Sequence, residues 1–177
     1  MAMTLITTNT SSNATNSAFT SDIDDTYKLY IFKFININPA TDNSDFSFNG
    51  SIDGGSNYNV TKTATGGHGW HYESDSNAGI TYEGAWDLAQ STDYFNLCND
   101  VGGGGDESAN GTLFLFNPSN TTYVKHFYLD ANYMLHVDQT ANPIFGGYCN
   151  TTDNIDAVDF KMSSGNFDGV IKMYGVA

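Results

Sequence analysis

The chain has no arginine. Its six basic side chains are all lysine (Lys28, Lys33, Lys62, Lys125, Lys161 and Lys172), set against 20 acidic residues for a net charge of -14. Binding to DNA, RNA or an anionic membrane needs clustered Lys and Arg to displace counterions, so this balance excludes those partners. Long apolar runs are also missing, and nothing approaches the roughly 20 residues of a membrane span. Met1 to Ser21 is rich in Thr, Ser and Asn, with neither the basic start nor the apolar stretch of a secretory signal. Only two cysteines occur, Cys98 and Cys149. That is too few for a disulfide framework, and the reading favoured here is two buried free thiols.

What the chain does have is 14% aromatic residues and short apolar runs separated by turn residues. Tyr27 to Ile37 (YKLYIFKFINI) is apolar on both alternating faces, as expected of a mid-sheet strand covered on both sides. In Asp45 to Ile52, Phe46 and Phe48 alternate with polar residues, and Asp53-Gly54 follows as a hairpin signal. Further β runs recur every ~8–12 residues, the rhythm of a sandwich or jelly roll. Turns are expected at Asn117-Pro118, Asp130-Ala131-Asn132, Asn142-Pro143 and Ser163 to Asn166. One helical turn is expected around Trp86 to Gln90, and Gly102 to Gly105 is expected to form a flexible hairpin tip.

The fold expectation is therefore all-β, a single-domain β-sandwich of jelly-roll type spanning residues 21–177. An N-terminal strand and flexible arm precede it over residues 1–20. The expected core includes Leu29, Ile31, Phe32, Phe34, Phe48, Leu113, Leu115, Val124, Phe127, Val158, Phe160, Ile171 and Met173. In the arm, Met3-Thr4-Leu5-Ile6 reads as a short apolar strand that must pair with a sheet edge, its own or a neighbour's, and Leu5 and Ile6 are the candidate arm contacts.

Few residues suggest chemistry. His68 and His71 are three apart, which on a strand sends them to opposite faces. Trp70, His71, Tyr72 and Trp86 are the candidate contacts for a partner or a glycan, since aromatics can stack on sugar rings. Asp22, Asp24 and Asp25 bunch three carboxylates and are weak metal candidates, but they lack a calcium-loop pattern and read first as a solvated turn. Glu73 and Glu83 could form a glycosidase pair only at a separation that sequence does not give. No nucleophile elbow or cysteine–histidine motif is present, so no enzyme activity and no cofactor is expected.

Three segments carry a resemblance: FTSDIDDTYKLYIFKFININPATDNSDFSFNGSIDGGSNYNVTKT (residues 19–63), FNPSNTTYVKHF (116–127) and AVDFKMSSGNFDGVIKMYGV (157–176), the last read as a closing hairpin. Together they resemble small virion structural proteins of tailed bacteriophages, especially marine ones. The resemblance implies a non-enzymatic virion component assembled in the host cytoplasm. The expected role is a capsid decoration or cement protein outside the head, in contact with the major capsid protein or other virion proteins. The alternative is a tail or fibre subunit that binds host-surface glycan. Symmetric virion sites favour a homo-oligomer, a trimer first.

Overall fold

A computed structural model describes residues 2–177, and over them nearly all the regular structure is strand. In chain order the strands are β1 (Met3–Ala14), β2 (Ser17–Phe19), β3 (Leu29–Pro39), β4 (Ser44–Ser51), β5 (Lys62–Tyr72), β6 (Ala78–Tyr82) and β7 (Leu88–Ser91). They continue as β8 (Phe95–Val101), β9 (Ala109–Phe116), β10 (Lys125–Leu135), β11 (Gln139–Cys149), β12 (Ala157–Met162) and β13 (Phe167–Val176). One 3-10 turn, Gly84–Trp86, lies between β6 and β7. The large sheet runs β1-β13-β3-β9-β10-β11-β5, with β6 and β7 on the far side of β5. The small sheet runs β2-β12-β4-β8, and a single bridge, Leu135 to Val101, joins β10 to β8. All pairings are antiparallel, and the chain passes from one edge, β1, almost directly into β2 at the edge of the other sheet. The result is an all-β, barrel-like sandwich with unequal sheets.

Period-2 alternation explains the core. Along β10, Lys125, Phe127, Leu129, Ala131, Tyr133 and Leu135 point inward, while His126, Tyr128, Asp130 and Asn132 point out. Phenylalanines fill the space between the sheets. Phe160 packs against Phe19, Phe32, Phe46 and Phe48, with ring centroids 5.4 to 6.4 Å apart. A second cluster joins Phe95 to Phe48, Phe127 and Phe145. Each such ring contributes about 1.5–3 kcal/mol of burial. Of the expected core, Leu29 and Val124 are only half-buried, Leu29 on the outward face of β3 and Val124 in the loop before β10. Ile31 is enclosed, but it lies outside the main core cluster.

Several local expectations are corrected. The flexible part of the arm expected within residues 1–20 is mostly strand: Asn9 to Ser11 pair with Ile171 to Gly169, and Ser17 and Ala18 pair with β12. Threonine and serine are polar, yet β-branched threonine suits a paired strand, and the ladder supplies what composition does not. Asp53-Gly54 does form a turn, but β4 and β5 lie in different sheets, so it is no hairpin. The same holds for Ser163 to Asn166, since β12 pairs with β2 and β4 whereas β13 pairs with β1 and β3. Gly102 to Gly105 likewise lies in a loop between strands that do not pair, β8 and β9. The helical turn falls at Gly84–Trp86, ahead of the expected place. β3 is central, between β13 and β9, but only one of its faces is covered, and Ile35 is exposed.

Asp130-Ala131-Asn132 and Asn142-Pro143 are not turns either; both lie inside strands. Their turn-like composition answers a local problem. Pro143 has no N–H to give a neighbouring strand. The β10–β11 register lapses between Asp130–Ile144 and Tyr133–Ala141. Side-chain amides fill the gap: Asn142 Nδ2 donates to the Ala131 carbonyl at 2.6 Å, and Asn132 Nδ2 to the Ala141 carbonyl at 3.1 Å.

Candidate functional site

The four aromatic and histidine candidates separate into distinct surroundings. Trp70 and Tyr72 share a face of β5 and meet edge to face at 5.8 Å. Trp70 Nε1 donates to Thr81 Oγ1 at 3.2 Å, and its ring lies over β6 at Gly79, where a Cβ would come within 3.0 Å of it. Glycine there lets the indole approach the backbone. His71 points to the opposite face and reaches Asp75 at 3.3 Å. Trp86 stacks on buried His68, with centroids 5.2 Å apart, and meets Phe145 edge-on. His68 Nδ1 lies 3.6 Å from Glu83 Oε1. Burial pulls the His68 imidazole below its usual value, while Glu83 works against that shift.

Tyr72 and His71 reach a common feature, a cleft of about 500 Å³ shared with Glu73, Asp106, Asn110, Asn132 and Thr140. Glu73 is exposed there, whereas Glu83 sits beside His68, so the two glutamates serve different places. The cleft mixes an aromatic wall with hydroxyl, amide and carboxylate groups, a set that can hydrogen-bond a polyhydroxylated ligand.

At the far edge of the large sheet, a shallow pocket of about 290 Å³ brings together Leu5, Ile6, Asp22 and Asp24 with Tyr27. Ile6 packs against the core and Leu5 is exposed. Asp24 Oδ1 accepts from the Thr26 N–H at 2.9 Å and from the Tyr30 hydroxyl at 3.2 Å. The Thr26 bonds hold its carboxyl below the ordinary value. Asp22 accepts from Ser21 Oγ at 2.7 Å. These carboxylates organise their own turn, and no cluster of three or more His, Cys, Asp or Glu suited to a metal occurs among the described residues. Cys98 and Cys149 are both free and buried. Burial raises both thiols, Cys149 to about 11, which suppresses thiolate reactivity.

One surface was not anticipated. Register places Leu5, Tyr174, Ile31, Phe114 and Tyr128 side by side across five strands on the outer face of the large sheet. A neighbouring row holds Met3, Val176, Leu29 and Phe116. Leu5, Met3, Phe116 and Tyr128 are all exposed. The signal was present in the runs LFLF and HFYL, which are apolar at successive positions. Both runs are expected as strands from their sequence, and only the register shows that one face of each belongs to an open row.

A scan against profiles of known families finds no match, and searches of curated proteins and of solved structures find none. The likeness drawn from residues 19–63, 116–127 and 157–176 thus stands on those residues alone.

Proposed function

We propose that this chain is a non-enzymatic structural protein of a virus particle, a decoration subunit on the outside of a capsid. The observation that carries the reading is the apolar band across the large sheet. On a molecule of net charge -14, a row of Leu5, Tyr174, Ile31, Phe114 and Tyr128 is where another protein surface can be met without charge repulsion. Contiguous exposed apolar surface of this kind marks interaction sites. The likeness to phage virion proteins supplies the setting, with the major capsid protein as partner and a homotrimer as the assembling unit. The unequal barrel is read as a variant of the jelly-roll type. Purified particles should contain the chain in on the order of hundreds of copies, as lattice symmetry requires. Gel densitometry giving a handful of copies would sink this reading. Phe114→Asp should also abolish rebinding to particles stripped of the protein.

A tail or fibre role in glycan binding is the second reading, and the Trp70–Tyr72 pair beside the polar cleft favours it. On this reading Trp70→Ala and Tyr72→Ala abolish binding on a glycan array, and Phe114→Asp leaves it intact.

A further inference from the structure

Two of the six lysines, Lys62 and Lys125, are wholly enclosed. Among the described residues both ion pairs involve histidine, and neither involves a lysine. A buried ammonium is ordinarily paired with a carboxylate, so each needs another account. Lys125 Nζ donates to the Thr151 carbonyl at 3.0 Å. Lys62 Nζ donates to the Val60 carbonyl at 2.8 Å and lies 2.5 Å from Asn49 Oδ1.

Asn49 is also fully buried, and its carboxamide is fixed at both ends. Oδ1 accepts from the Gly50 N–H at 2.9 Å, while Nδ2 donates to the carbonyls of Tyr58 at 2.7 Å and Thr92 at 3.0 Å. Directly opposite on β12 is Asp159, whose side chain shares that face of the sheet and is itself buried. Asp159 accepts from Asn16 Nδ2 at 2.8 Å and from the Tyr94 hydroxyl at 2.9 Å. Amine and carboxamide are thus held together in one water-poor place, with the Asp159 carboxyl one rung across from Asn49 on the neighbouring strand.

We propose that Lys62 and Asn49 join side chain to side chain in an amide cross-link that ties β5 to β4, with Asp159 relaying the proton. The neutral Lys62 amine attacks Asn49 Cγ. An Nζ–Cγ bond forms, the Cγ–Nδ2 bond breaks, and the proton shed by Nζ passes through Asp159 to the departing nitrogen, which leaves as ammonia. No oxidant, reductant or cofactor takes part. The Gly50 N–H on Oδ1 steadies the negative charge that develops on that oxygen. Burial brings Lys62 down to about 8, so more of the amine is neutral, and it raises the Asp159 carboxyl, which favours the protonated form. The reaction uses none of the surfaces assigned to partner or glycan binding.

The test is the intact mass of the freshly purified full chain. A cross-linked chain is one ammonia lighter than its sequence. A protease cutting before Asp53, which lies between the two residues, should leave the flanking peptides joined. Asn49 precedes Gly50, and an Asn-Gly pair can lose ammonia by closing on its own backbone. Lys62→Met separates the two routes: the full sequence mass returns if the cross-link is real, and a deficit that survives overturns the proposal. Folded wild-type protein at full sequence mass also overturns it. Asp159→Asn should fold, as judged by circular dichroism, and keep its ammonia; loss of ammonia in that variant overturns the relay.

Discussion

Single side chains in the interior carry most of what can be measured by substitution. Phe160 is completely buried and touches four other phenylalanines. Phe160→Ala should cost about 3–5 kcal/mol in urea or guanidinium unfolding, because the cavity lies between two sheets that cannot close on it. Asp53 acts at the surface and through pH. Hydrogen bonds from Asn57, Ser51 and the Asn57 backbone hold its carboxyl at about 2, against the ordinary 3.8. The folded form therefore favours the ionised group. Its stabilisation is complete above the ordinary value and is lost as pH falls from 3.8 towards about 2. Thermal melts of Asp53→Ala should lie below wild type at pH 7, and the two curves should converge in that acid window. A gap that persists unchanged to the acid end would show that Asp53 acts by some route other than its charge. Neither Asn49 nor Lys62 stood out in the sequence, since a carboxamide and an amine 13 positions apart follow no motif. Their meeting depends on β4 and β5 approaching across two sheets.

At the level of strands, alternation was readable and partnership was not. Phe46 and Phe48, or Phe127 and Leu129, announce an inward face by spacing alone. Nothing in Asp53-Gly54 or Ser163 to Asn166 reveals that the flanking strands part into different sheets, because turn residues fix local backbone rather than where the next strand finds its partner. Asp130-Ala131-Asn132 has the composition of a turn yet lies within β10, for a related reason. Its asparagine bonds a neighbouring strand rather than its own turn. The patched ladder around Pro143 yields a sharp expectation. Asn142→Ala leaves the Ala131 carbonyl without the donor it now has, and should cost about 1–3 kcal/mol. Hydrogen exchange should show the loss concentrated in the middle of β10 and β11. Uniform acceleration across the chain would contradict a local role. The Trp70–Tyr72 pair was legible as aromatic residues of one segment. The division of His71 and Trp86 into other surroundings follows from strand alternation and from the 3-10 turn, and only the first of these is visible in sequence.

For the molecule as a whole, charge decides the response to salt. With a net charge of -14 and no lysine–carboxylate ion pair among the described residues, added salt screens repulsion far more than attraction. The melting temperature should rise from low ionic strength to about 0.15 M, where the screening length is ~8 Å. A fall over that range would mean that the lysines contribute attractions that the geometry does not display. The same repulsion governs association. Copies should meet only through surfaces poor in carboxylates, such as the outer rows of the large sheet.

The pairing of β1 with β13 has a mechanical meaning. Met3 lies opposite Val176, so the first and last strands begin and end side by side at one corner. Tension applied between the two termini would open that pair one rung at a time, like a zip, instead of loading all its hydrogen bonds in shear. The barrel is consequently soft when pulled by its ends, whatever its thermal stability. Any site that bears load in service must grip it elsewhere on its wall.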